Sequence, residues 1–98
     1  MSKPDSVSIT VRYLGVVRLM SGRREDVIKL AGPVCVADVL SHLQKLLTPE
    51  VYQELTRQTL LLSTLPDVPG TVLAMPADRN KIIPNGYCLT VVTPVTGG

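Results

Sequence analysis

The chain has 98 residues, of which 45% are hydrophobic, and its net charge is only +2. This length fits a single domain spanning 1–98, for which we expect flexible termini at 1–6 and 94–98. The weak charge, the absence of a basic block and the presence of only three aromatic residues argue against nucleic-acid binding. No apolar run is long enough to cross a bilayer, so we expect no membrane partner.

The first six residues lack the apolar core of a signal peptide, which predicts a cytoplasmic protein. Cysteines are expected to stay reduced in that compartment. Cys35, Cys88 and the single His42 are too few and too widely spaced to form a zinc site, so we expect no bound metal.

Alternation of apolar and polar residues predicts the first strand, whose buried face consists of Val7, Ile9, Val11 and Tyr13. A continuous apolar stretch follows at 14–20, and turn residues come after it at 21–24. Residues 27–30 form a second short strand. Together these segments predict an N-terminal hairpin with a long connection.

The apolar period then changes to that of a helix, whose stripe consists of Val36, Val39, Leu40, Leu43 and Leu47. Cys35 occupies the N-cap position, where a serine or threonine would be stronger, and Asp38 lies in the first turn. Asp38 and His42 are expected to form a solvated pair on the outer face, beside Lys45.

Thr48 and Pro49 end this helix and begin a second, with Thr48 as the cap and Pro49 at the first position. Its buried residues are predicted to be Val51 and Leu55. A buried strand follows at 59–63, and 71–75 is expected to form a short edge strand.

The turn Pro84-Asn85-Gly86 precedes the last predicted strand, 87–93. Leu89 and Val91 are expected to face the core, and Cys88 should lie partly exposed on the opposite face. The order of hairpin, helices and strands predicts an α+β domain, with the helices on one face of a mixed sheet.

After the last strand the sequence reads Pro94-Val95-Thr96-Gly97-Gly98. Two residues without Cβ can enter a channel that excludes other residues, so we expect the Gly98 carboxylate to be the reacting group. Pro94 would direct the segment away from the sheet, and Val95 and Thr96 would contact a partner. The alternatives are a frayed end and, for Val95 and Thr96, a last piece of strand.

The hairpin, the helix opening at 36–40, the Asn85-Gly86 turn and the ending 94–98 resemble the β-grasp, ubiquitin-like sulfur carriers. The family includes the small subunit of molybdopterin synthase and the thiamine-pathway carrier. Gly22 matches a glycine of the first hairpin in these carriers. The chain departs from the family pattern where Tyr87 follows Gly86 and where Thr93 stands in place of a proline.

The resemblance implies a mechanism in which an ATP-dependent adenylyltransferase of the ubiquitin-activating type adenylates Gly98. A sulfur donor would then convert the adenylate to a thiocarboxylate, which gives its sulfur to a pterin precursor in the synthase large subunit. The chain would be a non-catalytic small subunit or co-substrate that holds no cofactor, and ATP would be used by the activating enzyme.

Three alternatives remain open. The chain is a ubiquitin-like modifier joined to targets through Gly98, or it carries sulfur in another pathway, such as thiamine or cysteine synthesis. In the third case it is an interaction module whose terminal segment is inert.

Overall fold

The structure is a computed structural model that describes residues 6–66 and 68–93. The elements run in the order β1 (Ser6–Tyr13), α1 (Val16–Ser21), β2 (Glu25–Ala31), α2 (Val36–Leu46), α3 (Pro49–Leu55), β3 (Thr59–Ser63), β4 (Thr71–Val72) and β5 (Cys88–Val92). The five strands form one sheet in the order β2-β1-β5-β3-β4. The predicted α+β, β-grasp architecture is confirmed.

The first and last strands lie side by side at the centre of the sheet. β1 pairs with β5 in parallel, with Thr10 opposite Cys88 and Tyr13 opposite Val91, whereas its pairing with β2 is antiparallel. β3 pairs antiparallel with β5, and the short β4 forms one edge. The sheet is therefore mixed, and the only parallel pair among the described strands joins the two that are farthest apart in sequence.

All three helices bury residues against the same side of the sheet. The predicted stripe of α2 is confirmed, although Leu40 is only partly buried. Thr48 caps α3 as predicted, because its Oγ1 accepts a hydrogen bond from the Val51 backbone N–H at 3.3 Å. The core consists of aliphatic side chains and one tyrosine, with the central members Ile9, Val11, Tyr13, Val17, Val39, Leu43, Leu55, Leu89 and Val91.

The connection predicted between the first two strands contains the helix α1, Val16–Ser21, which overlaps the apolar stretch 14–20. It ends at Gly22, which takes a left-handed conformation with φ of +71° and donates its N–H to the Arg18 carbonyl at 2.9 Å. Six residues with one buried side chain, Val17, are too few to show a helical period in the sequence. The sequence signal available for α1 was Gly22, because glycine commonly ends a helix as its C-cap.

Several predicted boundaries also differ from the structure. β1 includes Ser6, which lies opposite Ala31, although this residue was assigned to the terminus 1–6; residues 1–5 lie outside the described residues. The edge strand expected at 71–75 contains only Thr71 and Val72, and β5 begins at Cys88 rather than at residue 87.

The ring of Tyr13 is the single buried aromatic ring of this core, and it lies under the start of β2. It is fully buried, and its hydroxyl donates a 2.8 Å hydrogen bond to Asp26 Oδ2. The other oxygen of that carboxylate accepts a hydrogen bond from the Arg23 guanidinium, also at 2.8 Å. Asp26 thereby links the core to the turn between α1 and β2.

Replacing Tyr13 with phenylalanine should lower the free energy of unfolding by about 2 kcal/mol, because the variant loses a buried hydrogen bond to a charged group. Urea denaturation measures this change. Tyr52→Phe is the matched control, since the Tyr52 side chain is only partly buried and makes no hydrogen bond with the described residues. Equal losses in the two variants would contradict the assigned role of the Asp26 bond.

The Tyr13 phenol should also shape the alkaline stability. Burial raises its pKa well above the ordinary value, and the Asp26 hydrogen bond raises that pKa further. As the pH rises through about 10, the unfolded chain loses this proton while the folded chain keeps it, so folding stability falls. In an absorbance titration of the three tyrosines, one should ionise only on unfolding. Tyr13→Phe should remove that late step, and three ordinary titrations in the wild type would contradict this reading.

Candidate functional site

The residues that the sequence marks as the site are Pro94, Val95, Thr96, Gly97 and Gly98, and all of them lie outside the described residues. Thr93 is the last residue that the structure describes, and the predicted site segment follows it directly. The candidate site that the structure can define is therefore the end of β5 and its surroundings. We call it the exit corner, formed by Thr93, Leu14, Gly15 and Val16.

The strand that leads to the exit corner is held on both sides. β5 runs between β1 and β3, and its predicted core residues Leu89 and Val91 are fully buried. Beyond the last paired residues, the Leu14 N–H donates to the Val91 carbonyl at 2.8 Å. This bond continues the ladder to the end of β1, so the position of β5 is fixed almost up to Thr93.

Thr93 is anchored to the start of α1. Its Oγ1 accepts a hydrogen bond from the Val16 backbone N–H at 2.9 Å. The approach requires Gly15, which has a φ of +69° and at which a Cβ atom would lie only 2.2 Å from Thr93 Oγ1. Sequence reasoning missed this contact, and Gly15 before the apolar run was the only signal available.

The predicted Asp38–His42 pair is not formed. Asp38 Oδ2 instead accepts hydrogen bonds from the Cys35 backbone N–H at 2.9 Å and from the Cys35 thiol at 3.2 Å. These bonds lower the pKa of the Asp38 carboxyl, the backbone bond having the larger effect. The carboxylate reaches back to the helix N-cap, because an Asp at the third helical position can satisfy the free N–H there.

Cys88 was expected to be partly exposed, and this prediction is wrong, because only 1% of its surface is exposed. It does lie on the face opposite the core, between Thr10 and Ser63. Elsewhere on the sheet, the Arg12 guanidinium donates a hydrogen bond to the Pro66 carbonyl at 2.9 Å and so links β1 to the residues after β3.

The described residues offer little chemistry of their own. Among residues 6–66 and 68–93, no three His, Cys, Asp or Glu side chains cluster to form a possible metal site. A groove of about 390 Å³ between β2 and α2 is bordered by Asp38, His42 and Lys45, and it contains no cysteine or tyrosine. None of the helices in the described part is long and apolar enough to span a membrane.

No known family profile matches the sequence, and no curated protein matches it at a significant level. Solved structures do match. The HVO 2177 protein of Haloferax volcanii is 16% identical, with a TM-score of 0.71 over 100% of this chain and 94% of the other. Molybdopterin converting factor subunit 1 of Pyrococcus furiosus is 16% identical, with a TM-score of 0.64 over 91% and 99%. Urm1 of Trypanosoma brucei is 14% identical, with a TM-score of 0.63 over the whole of both chains.

These identities are low, and what the three structures share with the chain is the fold. The chain therefore has the ubiquitin-like β-grasp fold of the proteins that its sequence resembles. A fold alone does not determine a function.

Gly15→Ala should destabilise the protein more than Gly22→Ala. Both glycines have a φ near +70°, so each alanine costs about 1 kcal/mol in backbone strain. Only at Gly15 does the new Cβ atom also collide with Thr93, because nothing lies within 4 Å of the Gly22 position. Urea denaturation of the two variants measures the difference, and equal losses would show that the Gly15–Thr93 contact is absent in solution.

Proposed function

We propose that this β-grasp protein is a sulfur carrier whose Gly98 carboxylate is adenylated and then converted to a thiocarboxylate. The observation that supports it most directly is the exit corner. The body anchors Thr93 firmly, and the five residues that follow contain two glycines and no side chain able to act as an acid or base. Such a segment suits a substrate that is processed by other proteins.

The chemistry requires activation because a carboxylate is a poor electrophile. Attack of a Gly98 oxygen on the α-phosphorus of ATP forms an acyl-adenylate and releases pyrophosphate. Sulfur at the oxidation level of sulfide then attacks the carbonyl carbon, AMP leaves, and a C–S bond replaces a C–O bond. The catalytic groups and the ATP site belong to an adenylyltransferase of the ubiquitin-activating type, and we place the reaction in the cytoplasm.

We further propose molybdopterin synthesis as the pathway, in which the chain serves as the small subunit of a synthase. The support is the similarity in fold to the Pyrococcus furiosus molybdopterin converting factor subunit 1, together with the resemblance of the ending Pro94-Val95-Thr96-Gly97-Gly98 to the sulfur carriers. In this role Gly98, Gly97, Thr96, Val95 and Pro94 enter the active site of the large subunit. The synthase then needs no cofactor or metal on this chain.

Adding one alanine after Gly98, or deleting Gly98, should abolish charging of the chain with sulfur and leave its unfolding free energy unchanged, since neither change alters a side chain of the described core. Intact-mass analysis of the protein from its native cell measures charging as the exchange of one oxygen for sulfur. Adding one alanine at the N-terminus is the matched control and should charge normally.

The same measurement separates the alternatives. Conjugates of the chain on other proteins, lost in the Gly98 variants, would show a ubiquitin-like modifier instead. If the wild-type chain is neither charged with sulfur nor conjugated to other proteins, the remaining alternative is an interaction module. Loss of pterin-dependent enzyme activity in cells that lack the chain would place it in molybdopterin synthesis, and its retention would contradict that pathway.

A further inference from the structure

The helix α1 carries a ridge of apolar side chains that its own fold does not use. Leu19 is 84% exposed, more than any other large hydrophobic residue in the described part of the chain, and Met20 is 46% exposed. Leu46, at the end of α2, is partly exposed and borders the same cavity of about 270 Å³ as Met20. We call these three residues the α1 ridge. Adjacent exposed apolar residues mark contact surfaces more often than isolated ones do.

The α1 ridge lies next to the exit corner. The Leu19 N–H donates to the Gly15 carbonyl at 3.2 Å, so Leu19 stands one helical turn, about 5.4 Å along the axis, from the glycine that contacts Thr93. Gly98 follows Thr93 by only five residues, which span at most about 18 Å when fully extended. A protein that acts on Gly98 must therefore come close to this corner of the domain.

The surroundings of the ridge are basic. Arg18 lies on the same helix and Arg24 follows it, and both are exposed. The Arg23 guanidinium is paired with Asp26, and Glu25 is exposed next to Arg24, so the exposed Arg18, Arg24 and Glu25 together leave a net positive charge on this surface. An apolar centre with a basic rim is complementary to a pocket that is apolar in the middle and acidic at its edge.

We propose that the α1 ridge is the surface by which this domain docks on the protein that activates Gly98, and that the partner surface is an apolar pocket with an acidic rim. This inference rests on the proposed function, since it assigns a second contact to the protein that acts on the terminal segment. The ridge supplies affinity for the body of the domain, and Arg18 and Arg24 steer the encounter. The anchored Thr93 fixes the distance between the two contacts.

The test follows the rate at which newly made protein acquires sulfur at Gly98 in its native cell, read by intact mass after induction. Leu19→Ser combined with Met20→Ser should slow charging by about tenfold or more, as loss of a central apolar anchor does at other interfaces. The matched control is Ile82→Ser. Ile82 is 55% exposed and lines a cavity with Ser63 and Tyr87 near the start of β5, at the opposite end of that strand from the exit corner. The control should charge at the wild-type rate.

A second experiment reverses the charge of single exposed arginines. Arg18→Glu should slow charging, whereas Arg79→Glu, an exposed change of equal charge beside the start of α2, should not. Thermal unfolding of every variant checks that the domain remains folded. Charging of the ridge variant at the wild-type rate would overturn the docking surface and leave the proposed function intact. A wild-type chain that is never charged would overturn the proposed function, and the inference would fall with it.

Discussion

The parallel pairing of β1 with β5 is the constraint on which the rest of this structure depends. Parallel neighbours cannot be joined by a short turn, so all the intervening elements must be accommodated before β5 returns to the sheet. The fully buried Val11, Tyr13, Leu89 and Val91 hold that central pair together. As a result, the chain leaves the sheet from its middle, beside the end of its first strand, rather than from an edge.

This placement explains how the exit corner is built. Leu14 continues the ladder past the paired strands, and the chain then turns directly into α1 at Gly15. Thr93 meets that turn because β1 and β5 end at the same level. The short helix thus has one buried residue, Val17, and a structural role at its beginning, while its exposed side stays available.

Much of this architecture could be predicted because it follows from local periodicity. The alternation in β1, the stripe of α2 and the Thr48-Pro49 start of α3 are each visible within a dozen residues. Their order predicted the α+β class, and the resemblance to the sulfur carriers predicted the β-grasp fold. The low identity of 14–16% to its structural neighbours fits this view, since a fold needs a pattern of burial more than particular side chains.

The features that sequence reasoning missed arise from contacts between distant residues. No local pattern indicates that Gly15 must approach Thr93, which lies 78 positions later (93 minus 15). Likewise, alternation correctly assigned Cys88 to the second face of the sheet, but no local pattern indicates that this side chain is buried. Of the candidate site, the sequence supplied the proposed reacting segment, 94–98, and only the three-dimensional structure supplied the anchor at Thr93, the residue before it.

The burial of Cys88 has a practical consequence for studying the molecule. A thiol reacts with alkylating reagents or disulfides only when they can reach it, so modification of Cys88 requires a local opening that exposes its side chain. The other cysteine, Cys35, is only half-buried and provides an internal reference. The ratio of the two labelling rates would report how often one face of the domain opens while its core remains closed.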